Sequence, residues 1–195
     1  AGRQMEILAA SVWLRYLELC GTPVRFPDNA YKGDYVIEVA RALKHAEGDR
    51  LRRSPFEVSD GLPPDESQGG DKEAHIDALI QRARTLLGSQ DFEVVYKSAL
   101  DSLLDAIREE LLAFNVRYDN WFSERALAQS GAVGRAIDRL TRLGHMYEKD
   151  GARWFRATTF GDEKDRVVIR ENGQTTYFAS DIAYLLNKFE RGYTR

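Results

Sequence analysis

The chain has 195 residues, of which 43% are hydrophobic and 30% charged, and its formal net charge is −3. This balance is typical of a globular protein, and the length suffices for one core or for one core with an appended module. The net negative charge argues against nucleic-acid binding by the chain as a whole, so such binding would need a local basic patch. No apolar run approaches the ~20 residues that a membrane span needs, so we expect no membrane partner.

The first residues of the chain, its single cysteine and its three histidines lead to further expectations. The sequence starts without a signal-peptide pattern or an initiator methionine, so we expect a piece from inside a longer protein. The single cysteine, Cys20, excludes an internal disulfide and suits a reducing compartment, which predicts a cytoplasmic location. It follows a helical pattern, and we expect a buried, unreactive thiol. The widely separated His45, His75 and His145 have no cysteine at metal-ligand spacing, so no metal site is predicted.

Residues 1–53 form the first predicted segment and contain two helices. The apolar positions of the first helix recur at helical spacing: Met5, Leu8, Val12, Tyr16 and Leu19. Gly21 and Pro23 end this helix. The second helix, for which Asp34 is the predicted N-cap, has an apolar face at a spacing of four: Tyr35, Val39 and Leu43.

The middle of the chain divides into a loop and a helical pair. Residues 54–72 combine proline, glycine and acidic residues without periodicity, which predicts a mobile loop or linker without chemistry. Residues 73–115 predict two helices separated at Gly88. Their apolar stripes are wide enough to be buried: Ile76, Leu79, Ile80, Ala83, Leu87, Phe92, Tyr96, Ala99, Leu103, Ile107, Leu111 and Phe114. These stripes predict core packing and not a cofactor site.

The last predicted segment, 116–195, changes to an α/β pattern. A short strand is expected at 116–122, and three others follow at Arg153–Ala157, Arg166–Arg170 and Gln174–Phe178. The dipeptide Asn172-Gly173 is a strong hairpin signal. Ser130 and Ser180 are the predicted N-caps of two helices. The predicted fold class is therefore α+β, mostly helical, with a small antiparallel sheet near the C-terminus.

Three side chains of this segment could bind a guanidinium group. Tyr177 is predicted to end a strand and Asp181 to open the next helix, where ligand crevices are common. Glu124 follows the aromatic pair Trp121-Phe122. Two carboxylates and a phenol around one pocket would suit the five donors of a guanidinium and would discriminate against lysine. The residue patterns alone favour packing by the tyrosine and a helix-dipole role for the aspartate over a ligand site.

Several stretches of the sequence, taken in order, resemble the bacterial class I arginyl-tRNA synthetases. They are Ala1–Met5, Tyr31–Tyr35, Trp121–Glu124, Glu148–Phe155, Phe160–Val167, Tyr177–Tyr184 and Lys188–Gly192. The resemblance covers nearly the whole chain, and 54–72 is its least characteristic part. It implies a central piece of such an enzyme, comprising the insertion between the two halves of the α/β catalytic nucleotide-binding fold and the start of the second half.

The resemblance also implies an activity and its site. This family activates arginine with ATP and Mg²⁺ and transfers it to the 3′ end of tRNA(Arg). Its Ser-Glu and Tyr-x-x-x-Asp patterns line the arginine pocket, which makes Glu124, Tyr177 and Asp181 the implied arginine-binding residues. Tyr177 would also lie near the terminal adenosine of the tRNA.

Parts of the family pattern are missing from the sequence. Neither a His-x-Gly-His nor a Lys-Met-Ser-Lys type signature is present, and the helical anticodon-binding domain is absent. We therefore expect no catalytic residue in this chain, no ATP bound by it alone, and no activity without the remainder of the synthetase chain.

Two other functions are compatible with the residue pattern. The helix predicted after Ser130 carries three arginines and precedes a hairpin, which is similar to a winged helix that binds duplex DNA. The acidic residues around that hairpin would repel phosphates. The second alternative is a structural module that docks through helices 74–114 and has no affinity for arginine. No tRNA-contacting residue is predicted, because the basic side chains look scattered in the sequence.

Overall fold

The structure is a computed structural model that describes residues 2–194. Helices dominate it, and one three-stranded antiparallel sheet lies in the C-terminal part, which confirms the predicted fold class. The chain divides into two compact units, which we name unit 1 (up to Tyr118) and unit 2 (from Asp119). Within the described residues, no helix is both long enough and apolar enough to cross a membrane.

Unit 1 is a helical unit organised around its first helix. Its elements are α1 (Arg3–Leu19), α2 (Asp34–Glu47), α3 (Pro55–Ser59), a 3₁₀ turn (Glu66–Gln68) and α4 (Lys72–Ala113). Helix α1 packs against both α2 and α4. Nearly every residue from Ile7 to Leu17 is buried, because α1 is covered on more than one face.

The polar ends of the large aromatic side chains in unit 1 find partners inside the core. Trp13 Nε1 donates to the Leu51 carbonyl at 3.0 Å, and the Tyr16 hydroxyl donates to the Gly48 carbonyl at 2.7 Å. Burial raises the pKa of Tyr16 to about 12. Buried polar atoms that keep their hydrogen bonds avoid a desolvation penalty, so these aromatics add apolar burial without an orphaned group.

Helix α4 is interrupted at Gly88, as predicted. This glycine has φ 72° and ψ 174°, a conformation that only glycine adopts readily. The apolar stripe of α4 is buried only as far as Ala99, whereas Leu103, Ile107 and Phe114 are exposed. The prediction that the whole stripe is core is therefore wrong for its distal part. The part of α4 that follows Gly88 is thus covered over Phe92–Ala99 and uncovered beyond it.

Two further features of unit 1 differ from the expectations. The segment predicted as an irregular loop, 54–72, contains α3 and the 3₁₀ turn, and the buried Asp65 in it accepts a hydrogen bond from the Asp28 amide at 2.8 Å. Cys20 is only half-buried, with Lys44 Nζ 3.2 Å from its sulfur. The expected fully buried thiol is therefore not observed.

Unit 2 combines three helices with the sheet. Its elements are α5 (Glu124–Gln129), α6 (Ala132–Arg142), β1 (Met146–Lys149), β2 (Ala152–Phe155), a 3₁₀ turn (Ala157–Phe160), β3 (Arg166–Ile169) and α7 (Tyr177–Glu190). The strands are antiparallel in the order β1-β2-β3. Helix α7 packs against α5, α6 and β3. Ile137, Val168 and Ala179 form one buried cluster of this unit.

Two of the predicted strands in unit 2 are wrong. Residues 116–122 are irregular. In 174–178 the structure has one isolated bridge, between Ile169 and Thr175, and α7 already begins at Tyr177. The Thr176 amide and hydroxyl both donate to carbonyls of β3, which turns the chain into the helix before a strand can form.

The strand β1 and several helix caps were also not predicted correctly. The turn between β1 and β2 is Asp150-Gly151, and both residues have positive φ, as a two-residue hairpin of type I′ requires. The N-caps of three helices differ from the positions predicted from sequence. Gly33 caps α2 one residue before the predicted Asp34, Thr176 caps α7 four residues before the predicted Ser180, and Gly131 caps α6 one residue after the predicted Ser130.

Candidate functional site

Tyr177 and Asp181 lie on one helix, not across a strand-to-helix junction. They are the first and fifth residues of α7. Side chains four residues apart on a helix share a face, so the two groups are neighbours through helix geometry alone. Tyr184 and Lys188 continue the same face toward the C-terminus, and Lys188 Nζ lies 4.7 Å from the centre of the Tyr184 ring.

The side chain of Tyr177 is almost free in solvent. Its exposure is 90%, so a packing role for this aromatic is excluded within the described chain. It borders a shallow recess of about 290 Å³, whose other lining residues are Arg170, Thr175, Thr176 and Ser180. An exposed aromatic beside a polar recess is better suited to contact a ligand than to stabilise the fold.

Asp181 is exposed as well, and its position argues against a purely structural role. The helix dipole acts mainly within the first turn, whereas Asp181 follows four helical residues. In residues 2–194 no hydrogen bond or ion pair involves its carboxylate. Both oxygens are therefore available to accept hydrogen bonds.

Glu124 opens α5, a helix that packs against α7. Ser123 caps α5, because its hydroxyl accepts a hydrogen bond from the Ala126 amide at 3.2 Å. One turn after Glu124, the buried Leu127 shares an apolar cluster with Ala183 of α7. The exposed Glu124 side chain is thus carried by a helix whose inner face is fixed on α7.

A ring contact joins the entry of α5 to the α7 face described above. The Phe122 ring lies 4.5 Å from the Tyr184 ring, measured between centroids. Tyr184 shares its face with Tyr177 and Asp181. The structure therefore brings Tyr177 and Asp181 together on one helix face, and it places Glu124 on the neighbouring helix that packs against α7.

A polar network on the sheet was not foreseen from the sequence. Asp165 accepts from the Thr158 amide at 3.0 Å, the Thr158 hydroxyl at 2.8 Å and the Tyr147 hydroxyl at 2.9 Å. The bonds from Thr158 are the main reason that the pKa of Asp165 is lowered. Burial and the bond to Asp165 raise the pKa of Tyr147, whose ring lies 4.7 Å from the Arg156 guanidinium. This network fixes the connection between β2 and β3.

No cluster of three or more His, Cys, Asp or Glu side chains in the described part of the chain is arranged to hold a metal ion. The three candidate residues are a phenol and two carboxylates. This set of acceptors suits a planar cationic group that offers several N–H donors at once.

Comparison with known proteins gives closely related sequences. No family model matches the chain. It is 60% identical over 195 residues to an arginine–tRNA ligase of Thioalkalivibrio sulfidiphilus and 54% identical over 195 residues to one of Legionella pneumophila (strain Paris). Both alignments cover 100% of this chain and 33% of the relative. The chain thus spans about a third of the length of the curated relatives that it matches.

A solved structure is similar in fold. It is a crystal structure assigned as an arginyl-tRNA synthetase from Campylobacter jejuni, with a TM-score of 0.63 and 27% sequence identity. The similarity covers 100% of this chain and 35% of that one. None of these reported relatives is a DNA-binding protein, so the winged-helix alternative gains no support.

Proposed function

We propose that this chain, which is similar over its whole length to bacterial arginine–tRNA ligases, forms part of an enzyme that activates arginine with ATP and esterifies it onto tRNA(Arg). ATP with Mg²⁺ is the proposed cofactor of the whole enzyme, and the cytoplasm its proposed location. Its partners are arginine, tRNA(Arg) and the remainder of the ligase polypeptide. The proposed division assigns residues 1–53 to a helical segment of the catalytic domain, 54–72 to a linker, 73–115 to the helical pair of its insertion, and 116–195 to an α/β segment with a hairpin and a C-terminal helix.

The proposed contribution of this chain is recognition of arginine by Glu124, Tyr177 and Asp181. The carboxylates would accept the guanidinium N–H groups, and charge-assisted bonds of this kind are about twice as strong as neutral ones. Lysine would be rejected because its compact ammonium cannot span two acceptors in a plane. The observation that carries the proposal is the exposed α7 face, on which Tyr177 and the unpaired Asp181 stand one turn apart.

Tyr177 has a second proposed role at the acceptor end of the tRNA. Its ring is exposed beside a recess, and base–aromatic stacking is worth about 1–3 kcal/mol per base. A terminal adenosine stacked on this ring would lie next to the arginine whose carboxyl group it receives.

Titration calorimetry with L-arginine, L-lysine and the uncharged isostere L-citrulline tests the arginine site. We expect binding of arginine alone, weakened about 10- to 100-fold by Asp181→Asn and by Glu124→Gln, since each substitution removes a hydrogen bond to a charged group. Asp138→Asn is the matched control, because it removes one exposed carboxylate of the same unit on another helix. Equal affinity for citrulline, or an equal loss with the control, would contradict the proposed pocket.

A second experiment tests the division of labour between this chain and the rest of the enzyme. The negative charge that develops on the phosphates in the transition state must be stabilised by preorganised hydrogen-bond donors. The sequence has neither the His-x-Gly-His nor the Lys-Met-Ser-Lys type signature that would supply them. We expect no arginine-dependent exchange of pyrophosphate into ATP by the purified chain. Measurable exchange would show that this chain contains the catalytic groups.

A further inference from the structure

Three arginines form a row along α6. Arg135, Arg139 and Arg142 follow each other at spacings of four and three residues, so their side chains leave the helix on one face. With a rise of 1.5 Å per residue, the row covers about 10 Å of the helix axis. The basic residues that look scattered in the sequence are therefore a stripe in the structure, which we name the α6 arginine row.

The α6 arginine row lacks acidic partners. Arg135 donates to the Ser130 carbonyl at 2.6 Å, which leaves its charge uncompensated. Within residues 2–194, no ion pair involves any of the three guanidinium groups. The arginines on the surface of unit 1 show the opposite pattern, since most of them are paired with acidic residues: Arg3, Arg15, Arg41, Arg50, Arg82, Arg84 and Arg108.

The row lines a groove between α6 and α7. The groove has a volume of about 200 Å³, and its remaining walls are Ala132, Ala183, Leu186 and Glu190. Small side chains at two of these positions let a ligand approach the helices closely. Glu190 is the one acidic group among the lining residues, so three positive charges face one negative charge.

A structural explanation accounts for only part of the row. Cations in the last turn of a helix interact favourably with its dipole, and Arg139 and Arg142 occupy that turn of α6. Arg135 lies in the first half of the helix, where the dipole offers no such gain. The dipole also does not require that all three side chains open into one groove.

We propose that the α6 arginine row binds consecutive phosphates of the tRNA backbone; this inference rests on the proposed function. Guanidinium groups bind phosphate oxygens through two parallel hydrogen bonds. A row of about 10 Å is longer than one phosphate and matches a ligand with repeated charges. Such contacts position a nucleic acid without reading its sequence.

Fluorescence anisotropy of a labelled tRNA(Arg) transcript, measured with this chain at several salt concentrations, tests the inference. Each phosphate contact contributes about 0.7–0.9 to the slope of log affinity against log salt. In the variant R135Q/R139Q/R142Q, the magnitude of this slope is expected to fall by about 2–3. That change corresponds to roughly 100-fold weaker tRNA binding at 0.1 M salt. Glu190→Gln is expected to strengthen binding, because it removes the acidic group from the groove.

The matched control is R41Q/K97Q/R108Q. It also removes three positive charges, but these residues are exposed on unit 1 and each is paired with an acidic neighbour. We expect it to retain nearly the wild-type affinity and slope. Circular dichroism of both triple variants separates a lost contact from a lost fold.

Three results would overturn the inference: no tRNA binding by the wild-type chain at low salt, an equal loss in the control variant, or equal competition by duplex DNA of the same length. The arginine titration is independent of these results. The row variant is expected to bind arginine like the wild type. Failure of arginine binding alongside intact, row-dependent tRNA binding would refute only the proposed arginine pocket.

Discussion

The two units of this chain use their side chains in opposite ways. Unit 1 has one large apolar core around α1, and its arginines are mostly engaged in ion pairs. Unit 2 has two small clusters with three fully buried residues each. In the described residues of unit 2, Tyr177 is exposed, and neither Asp181 nor the α6 arginine row forms an ion pair. The contrast indicates that unit 1 supplies most of the apolar stabilisation, whereas unit 2 presents charged and aromatic groups that are unpaired within the described residues.

The largest expected effect of a single substitution is therefore in the core of unit 1. Trp13 is 1% exposed and its indole N–H is bonded inside the core. Trp13→Ala is expected to lower the free energy of unfolding by about 3–5 kcal/mol, since it leaves a cavity and an unpaired carbonyl. Urea unfolding followed by far-UV circular dichroism measures the change. Phe114→Ala, at a residue that is 82% exposed, is the control and should change little.

A smaller loss is expected in the core of unit 2. Ile137 is 3% exposed and packs with Val168 and Ala179. Ile137→Ala is expected to cost about 2–3 kcal/mol, because a small cluster can partly close around the missing atoms. Hydrogen exchange of the α6 and α7 amides reports this change locally. Leu185→Ala, on the exposed side of α7, should leave the exchange unchanged, and an equal effect would contradict the assignment of the core.

Alanine substitutions at one glycine of α4 and one glycine of α6 are expected to have opposite effects on stability. Gly88 has a conformation open only to glycine, so Gly88→Ala is expected to destabilise unit 1 by about 1–3 kcal/mol. Gly134 lies inside α6 with open space where a Cβ would be, so Gly134→Ala is expected to stabilise by about 0.5–1 kcal/mol. Thermal unfolding should show opposite signs. A stabilising effect of Gly88→Ala would contradict the interrupted form of α4.

The smallest effect concerns the acid stability of unit 2. The folded-state pKa of Asp165 is lowered, so its contribution is complete above about pH 4 and is lost as the pH falls through the lowered value. Asp165→Asn should remove this part of the acid dependence. Tryptophan fluorescence between pH 2 and 6 measures it, with Glu163→Gln in the same loop as the control for net charge. An unchanged acid transition in Asp165→Asn would show that the network is not maintained in solution.

The fold was partly predictable because helical periodicity follows burial closely. The predicted stripe is buried in the first half of α4 and over most of α1 and α2, where Leu19 and Tyr35 are the exposed exceptions, and Gly88 interrupts α4. The errors occur where the secondary-structure propensity of a segment is overridden by its contacts with the rest of the fold. Tyr177-Phe178 has the composition of a strand, but hydrogen bonds from Thr176 to β3 start a helix there. The exposure of the distal part of α4 depends on which elements pack against it, and periodicity does not report this.

For the candidate site, the sequence predicted residue types and a family but not the geometry. Residue pattern placed Tyr177 and Asp181 on either side of a junction, whereas they share a helix face. The spacing of the α6 arginine row is visible in the sequence, where it is compatible with a DNA-binding helix. Its lack of acidic partners and its groove depend on the packing of α7, which no local pattern encodes.

The most direct test of the central claim is to map L-arginine binding onto the backbone amides of this chain by NMR titration. We predict chemical-shift changes that saturate and that concentrate at the α7 face bearing Tyr177 and Asp181 and at the start of α5, including Glu124. L-citrulline at the same concentration should produce none. Shift changes confined to unit 1, or identical changes with citrulline, would contradict recognition of arginine by these three residues.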